Sequence, residues 1–149
     1  MVKFGTPEWA ELYVDAVNSN EAYAKAASWW EGDFIFQVDP YGGLEQQIRV
    51  WIGLNHGKCT GCKILKESED YKLLQKGEKP AGHPFEVEYV FIARIDVWEK
   101  ILRKELDPIR ALLSGQAKLT GDMAKVLRAT DAAKELVVSA SKIETEFYG

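Results

Sequence analysis

Two cysteines and two histidines carry the most reactive chemistry in this 149-residue sequence. Cys59-Thr60-Gly61-Cys62 has the spacing of a metal knuckle or a dithiol, and His56 and His83 would complete a two-Cys, two-His zinc set. The surrounding residues fit neither chemistry well. Cysteines three apart on a strand point to opposite faces, and KILKESED after Cys62 offers no helix cap to lower a thiol pKa. Structural cysteines and solvated histidines are therefore the expectation, with zinc the lesser alternative. The carboxylates do not pair for acid–base work either, because Asp96, Asp107 and Asp122 each stand where a helix start needs a cap. Phosphate-binding and dinucleotide glycine loops, the nucleophile elbow and the zinc-protease helix are all missing, which removes the usual reasons to propose an enzyme.

The elements that would position any site can be read in order. Thr6-Pro7-Glu8 opens a helix with Trp9, Leu12, Tyr13, Ala16 and Val17 on one stripe, and Asn20 caps a second helix to about Trp29. Phe34, Phe36 and Val38 alternate with Asp33, Ile35 and Gln37, giving a strand with one aromatic face. Leu44 to Gly53 is a second strand, with Ile48, Val50 and Ile52 on one face and Arg49 and Trp51 on the other. Asn55-His56-Gly57-Lys58 turns the chain into a third, Cys59–Leu65. Lys66–Pro84 is charged and broken by Gly77, Pro80, Gly82 and Pro84, which predicts a surface excursion with one helical turn. Phe85 to Arg94 alternates as one long strand. Asp96-Val97-Trp98-Glu99 then reads as a capping box, with Trp98, Ile101, Leu102 and Leu106 forming an apolar stripe behind it.

The densest signals lie in DPIRALLSGQAKLTGDMAKVLR, residues 107–128. Asp107 and Pro108 start a short amphipathic helix to Ser114, and Gly115 permits the left-handed turn that ends it. Gln116–Thr120 has strand spacing, and Gly121-Asp122 caps a helix with a stripe from Met123 to Ala140 that Thr130-Asp131 could split. Segregated strands and helices predict an α+β fold, in which helices cover one face of a mostly antiparallel five-stranded sheet.

This stretch resembles the lipid-binding domain of the sterol carrier protein type two family. LLSGQAKLTGD followed by MAKVLR is similar to that family's leucine pair, Ser-Gly-Lys, alternating strand, Gly-Asp and amphipathic helix, with Gln116 replacing the usual basic residue. The likeness spans roughly Trp30 to Ala140. It implies an apolar tunnel between sheet and helices, carrying a lipid, sterol or fatty acyl chain. By that resemblance Trp98, Leu102, Leu112, Leu113, Met123, Val126, Leu127, Leu136 and Val137 would roof a sheet face carrying Phe34, Phe36, Trp51 and Phe91. Arg94, Arg103, Lys104 and Arg110 would supply a basic rim for an acyl-CoA.

Length and composition suit one domain, residues 1–149, made of a helical hairpin over 6–30 and a sheet with covering helices over 32–140. A net charge of −4 with interspersed signs argues against nucleic acid. No apolar run would cross a bilayer, and MVKFGTPEWAEL lacks the features of a secretion signal, so a cytoplasmic location is expected. The resulting expectation is a non-catalytic lipid carrier without a cofactor. Its partner is a lipid or fatty acyl ligand, with transient membrane contact and a second copy of the chain as further candidates. Two rivals stand beside it: an enzyme or accessory domain of a lipid-metabolising complex using the same cavity, and a homodimeric interaction module without a ligand.

Overall fold

The computed structural model describes residues 1–149. The chain begins with β1 (Val2–Lys3), α1 (Pro7–Asn18) and α2 (Glu21–Ala26). The Thr6 and Asn20 side chains accept the N–H groups of Trp9 and Tyr23, so both helices start at the caps read from the sequence, although α2 stops short of Trp29. Next come β2 (Phe34–Asp39), β3 (Ile48–Asn55), β4 (Lys58–Ile64), β5 (Lys72–Leu73), β6 (Glu86–Val87) and β7 (Tyr89–Arg94). The chain finishes with α3 (Ile95–Leu102), α4 (Pro108–Leu113), β8 (Ala117–Thr120), α5 (Met123–Arg128), α6 (Thr130–Ala140) and β9 (Thr145–Glu146).

Five strands form the main sheet in the order β4-β3-β2-β7-β8. Three of its four pairings are antiparallel, and only β2 and β7 run parallel, because the excursion from Lys66 carries the chain back to the starting edge before β7. This is the expected α+β architecture, with a mixed sheet at its centre. Register sets the faces: Phe34 stands opposite Tyr89 and Phe36 opposite Phe91, so four rings from two strands project toward the helices.

Two local irregularities change which side chains share a face. In β4 the pairing slips from Gly53 opposite Gly61 to Leu54 opposite Cys59, so Thr60 is an extra residue. Cys59 and Cys62 are thereby both turned toward the helical core, where plain alternation had set them on opposite faces. The second break is at Glu88, where Glu88 and Tyr89 both donate their N–H to the Asp33 carbonyl at 3.2 Å. The long strand expected from Phe85 is therefore two pieces, and Val87 joins Val90 beneath the sheet while Tyr89 and Phe91 face the helices.

That lower face is also covered. Lys72 and Leu73 of β5 pair in parallel with Glu86 and Val87 of β6, in place of the helical turn expected in the excursion. The segment packs Tyr71 and Leu73 against Ile35, Leu65, Val87 and Val90. The capping box at Asp96 is likewise not formed. The helix α3 starts at Ile95, and the Asp96 carboxylate turns to the Arg94 guanidinium at 2.6 and 2.9 Å, which lowers its pKa. By contrast, Asp107 accepts the N–H groups of Ile109 and Arg110, Asp122 accepts that of Lys125, and Gly115 takes a φ of +79°, all as their residue types require.

The N-terminal hairpin packs on the sheet and on α6. Asn18 clamps the irregular start of β4: its amide Nδ2 donates to the Cys59 carbonyl at 2.9 Å, and its Oδ1 accepts the Cys59 N–H at 2.8 Å. Across the molecule the two ends of the chain meet, β1 pairing in parallel with β9 and Tyr148 donating its hydroxyl proton to the Phe4 carbonyl. Phe4 lies among the rings of Trp9, Trp98 and Phe147. The sequence reading assigned no element beyond Ala140, because a two-residue strand has no periodicity to detect.

Asn18→Ala removes both partners of the buried Cys59 backbone, and we expect a loss of about 2 kcal/mol in chemical denaturation; Asn18→Asp keeps the acceptor for the Cys59 N–H but sets a carboxylate oxygen against the Cys59 carbonyl, and should also lose stability. A second prediction concerns Asp33, whose Oδ1 accepts the Leu54 N–H at 3.0 Å. Burial pushes its carboxyl up from 3.8 to about 6, with the Leu54 bond opposing and Glu88 adding to the rise. A folded-state pKa above the unfolded value means the protonated acid favours the fold. Its contribution is complete below about pH 4 and lost as pH rises through 6. Asp33→Asn should therefore gain stability over the parent as pH goes from 4 to 7, on the order of 1 kcal/mol after allowance for partial exposure. An unchanged difference across that range would refute the assignment.

Candidate functional site: an apolar cavity between sheet and helices

A floor of aromatic rings and a roof of mostly aliphatic side chains meet here. The floor is a row of rings: Tyr89 stacks on Phe34 at 4.9 Å between centroids, Phe34 meets Phe36 at 5.3 Å, and Trp98 meets Phe36 at 5.3 Å and Phe91 at 5.2 Å. Trp98 is fixed by its indole N–H, which donates to the Gln37 carbonyl at 3.1 Å. The helices above bring Ile101, Leu102, Leu112, Val126, Leu136 and Val137 over them, with Ala133 the one alanine at the wall. Between the layers lies a cavity of about 100 Å³, with thirteen hydrophobic residues among the fourteen that line it. A second void of about 50 Å³, reaching toward Tyr23 and Trp30, shares Phe34, Val126, Ala133 and Leu136 with the first.

Nine of the thirteen residues expected to hold a ligand line this cavity: Phe34, Phe36, Phe91, Trp98, Leu102, Leu112, Val126, Leu136 and Val137. Four do not. Trp51 pairs with Ile35 and so faces the lower layer, where its ring lies over Gly61 and beside Phe85 and its Nε1 has no partner. Leu113, Met123 and Leu127 are 73%, 37% and 38% exposed, because α4 and α5 are each under two turns long and present only one narrow stripe inward. The sequence reading missed Tyr13, Ile101, Pro108, Ile109 and Ala133. Ile101 and Ile109 were on assigned apolar stripes and were recoverable. Tyr13 was not, since nothing local tells that α1 reaches across to α6.

Apart from the Trp98 indole N–H, Tyr13 carries the one polar side-chain group at the wall. Its hydroxyl donates to the Leu136 carbonyl at 3.0 Å, and burial raises its pKa well above 10.0. The lining contains no carboxylate, histidine, lysine, serine or cysteine. Beyond the lining, the cavity borders two surface clefts beside α4. One shares Ile101, Pro108 and Val137 with it and adds Lys104 and Lys134, and the other shares Ile109 and adds Arg110 and Lys134. Of the basic rim expected from the sequence, Lys104 and Arg110 stand at these clefts. Arg94 is paired with Asp96, and Arg103 with Glu99 at 3.2 Å.

The zinc set is not assembled, and no three His, Cys, Asp or Glu side chains come together to hold a metal ion. Cys59 and Cys62 face α1, whereas His83 belongs to the segment covering the opposite face and accepts the Phe85 N–H. His56 sits in the β3–β4 turn, its ring nitrogens 2.8 Å from the Ser28 carbonyl and 2.7 Å from the Glu31 carboxylate, acceptors that raise its pKa. Both cysteines are free, and burial pushes their thiols up to about 11 and 12.

Comparison with solved structures places this arrangement. The fold superposes on a crystal structure of sterol carrier protein 2 with a TM-score of 0.76 and 32% identity, covering 95% of this chain and 99% of that one. A solution structure from Thermus thermophilus, a conserved hypothetical protein described as a possible sterol carrier protein, gives a TM-score of 0.77 and 30% identity over 98% and 93% of the two chains. The chain belongs to the sterol carrier protein 2 family. The apo form of sterol carrier protein 2 from Yarrowia lipolytica, at 11% identity and a TM-score of 0.52 over 89% of each chain, shares the fold. No protein-family model and no curated protein matches the sequence. In this sterol carrier protein 2 family member no helix is long and apolar enough to cross a membrane.

The thiols give a direct test of the buried geometry. At pH 8 iodoacetamide should modify Cys59 and Cys62 of the native protein at least tenfold more slowly than in urea, because a thiol raised to about 11 or 12 holds little thiolate. Equal rates by mass spectrometry would contradict their placement.

Proposed function

We propose that this chain sequesters a hydrocarbon-chain lipid in the apolar cavity and carries it through the cytoplasm without acting on it chemically. The supporting observation is the composition of the wall: fourteen uncharged residues whose only side-chain N–H and O–H groups, those of Trp98 and Tyr13, already donate to the Gln37 and Leu136 carbonyls. Such a site rewards the withdrawal of methylenes from water, at roughly 0.8 kcal/mol each. The Tyr13 oxygen can still accept one hydrogen bond, but a ligand hydroxyl placed anywhere else along the wall would cost on the order of 1–3 kcal/mol left unpaired. A fatty acyl or isoprenoid chain is therefore favoured over a sterol lying with its hydroxyl inward.

Membership of the sterol carrier protein 2 family supports carriage as the activity. An enzyme using the same cavity would have no acid, base or nucleophile at the wall to work with. At about 100 Å³ the cavity is smaller than the roughly 300–1,000 Å³ usual for ligand sites, so a long chain enters as the short helices α4 and α5 give way and the two voids merge along Ala133 and Leu136.

Titration with a series of saturated fatty acids tests this reading. Affinity should rise about fourfold per added methylene and then level off when the merged volume is filled. Ala133→Phe, which fills the junction of the two voids, should weaken binding at least tenfold while thermal unfolding stays cooperative. Affinity that ignores both chain length and Ala133→Phe would refute the proposal.

A further inference from the structure

A cleft of about 260 Å³ opens between the α3–α4 turn and α6, and it shares Ile101, Pro108 and Val137 with the lipid cavity, so the wall of one runs into the wall of the other. Its charged side chains are Lys104, Lys134 and Asp107. Lys104 has a left-handed backbone, with φ +63°, and is one of two non-glycine residues with a positive φ. It closes α3: its N–H donates to the Ile101 carbonyl at 3.0 Å, and the next N–H, of Glu105, donates to the Lys100 carbonyl at 2.8 Å. Helices closed by this pair of bonds end most often on glycine, because a Cβ crowds the left-handed backbone. Closing the helix accounts for the conformation and not for the lysine. What lysine adds at this place is an ammonium group at the cleft.

Neither Lys104 nor Lys134 makes an ion pair. Asp107 is already engaged, its Oδ1 accepting the N–H groups of Ile109 at 2.8 Å and Arg110 at 3.2 Å. Among the neighbouring cations, Arg103 is held by Glu99 and lies over the Phe147 ring, and Arg110 lines a second cleft that meets the cavity only at Ile109. Two lysines against one aspartate leave the first cleft one net positive charge, at the outer end of an uncharged apolar wall. One charge suits one monoanion. A coenzyme A thioester, with several phosphate charges, would be left mostly unmatched there.

We propose that this cleft is the mouth of the lipid cavity, and that Lys104 and Lys134 hold the carboxylate of a free fatty acid whose chain runs inward past Ile101 and Val137. Hydrogen bonds from ammonium to carboxylate are charge-assisted, and in a cleft open to water they weaken as salt rises. The inference rests on the lipid-carrier reading and narrows its ligand from any hydrocarbon-chain lipid to one with a single carboxylate head. It also gives the strained lysine a use that glycine could not supply.

Calorimetric titration with decanoic acid, 1-decanol and decanoyl-CoA separates the head from the chain. At neutral pH and low salt the acid should bind about tenfold tighter than the alcohol, since each exposed charge pair is worth up to about fivefold, and the thioester no tighter than the alcohol. Lys104→Gly and Lys134→Gln should each weaken binding of the acid about threefold or more and leave that of the alcohol unchanged, and raised salt should act in the same direction. Lys104→Gly should melt at or above the temperature of the parent, because glycine adopts φ +63° without strain, so its loss of acid binding is not a loss of fold. Acid and alcohol bound alike, with neither lysine mattering, would overturn the mouth and leave the carrier reading in place. So would a loss of acid binding in Arg110→Gln with none in Lys104→Gly, which would seat the head in the second cleft. Binding of none of the three compounds would remove carriage and the mouth together.

Discussion

Incomplete closure between two packed layers governs this fold. The sheet presents a row of aromatic rings set by the register of β2 and β7, and rings of that breadth need deep side chains opposite them to close the gap. The roof meets them with branched aliphatic residues and one alanine, Ala133, and two of its helices, α4 and α5, have six residues each. Space is left at the centre of an otherwise dense interior. Its walls are dry, so the space suits hydrocarbon better than water.

The position of the void follows from strand parity, and parity is corrected in two places by irregular backbone. The extra residue at Thr60 turns Cys59 and Cys62 inward together, and the break at Glu88 sends Val87 down and Tyr89 up. Without the second shift, the alternation read from Phe85 onward would put Val87 in the same layer as the rings. Side-chain bonds to backbone hold both places: Asn18 at Cys59 and Asp33 at Leu54, which stands opposite it, fix the slip in β4, and at the second break the Glu88 carboxylate accepts the Asp33 N–H at 2.8 Å. A polar residue anchored near each irregularity is how the fold keeps an unpaired stretch of backbone from costing stability.

These observations also explain what could be read in advance. Helix starts at Thr6, Asn20, Asp107 and Asp122 were legible because a cap acts within three residues, and the strand faces of Phe34, Phe36 and Phe91 because alternation is local. The 107–128 stretch carried enough of these signals to point to the family that the superpositions then showed. What failed depended on partners distant in sequence. Asp96 found Arg94 instead of its own helix end, Trp51 found the lower layer, and Tyr13 found α6, 123 residues away. The covering of the lower face by residues 66–87 was hidden because a two-residue parallel pairing leaves no pattern in the sequence.

The central claim is that hydrocarbon occupies the gap between the ring floor and the helical roof. Nuclear Overhauser spectroscopy on a complex with a fatty acid carrying a labelled terminal methyl group addresses it most directly. The account predicts contacts from that methyl to the rings of Phe36, Phe91 or Trp98 and to Leu136, all of which line the cavity. Contacts confined to exposed residues such as Leu113 or Trp29 would contradict it.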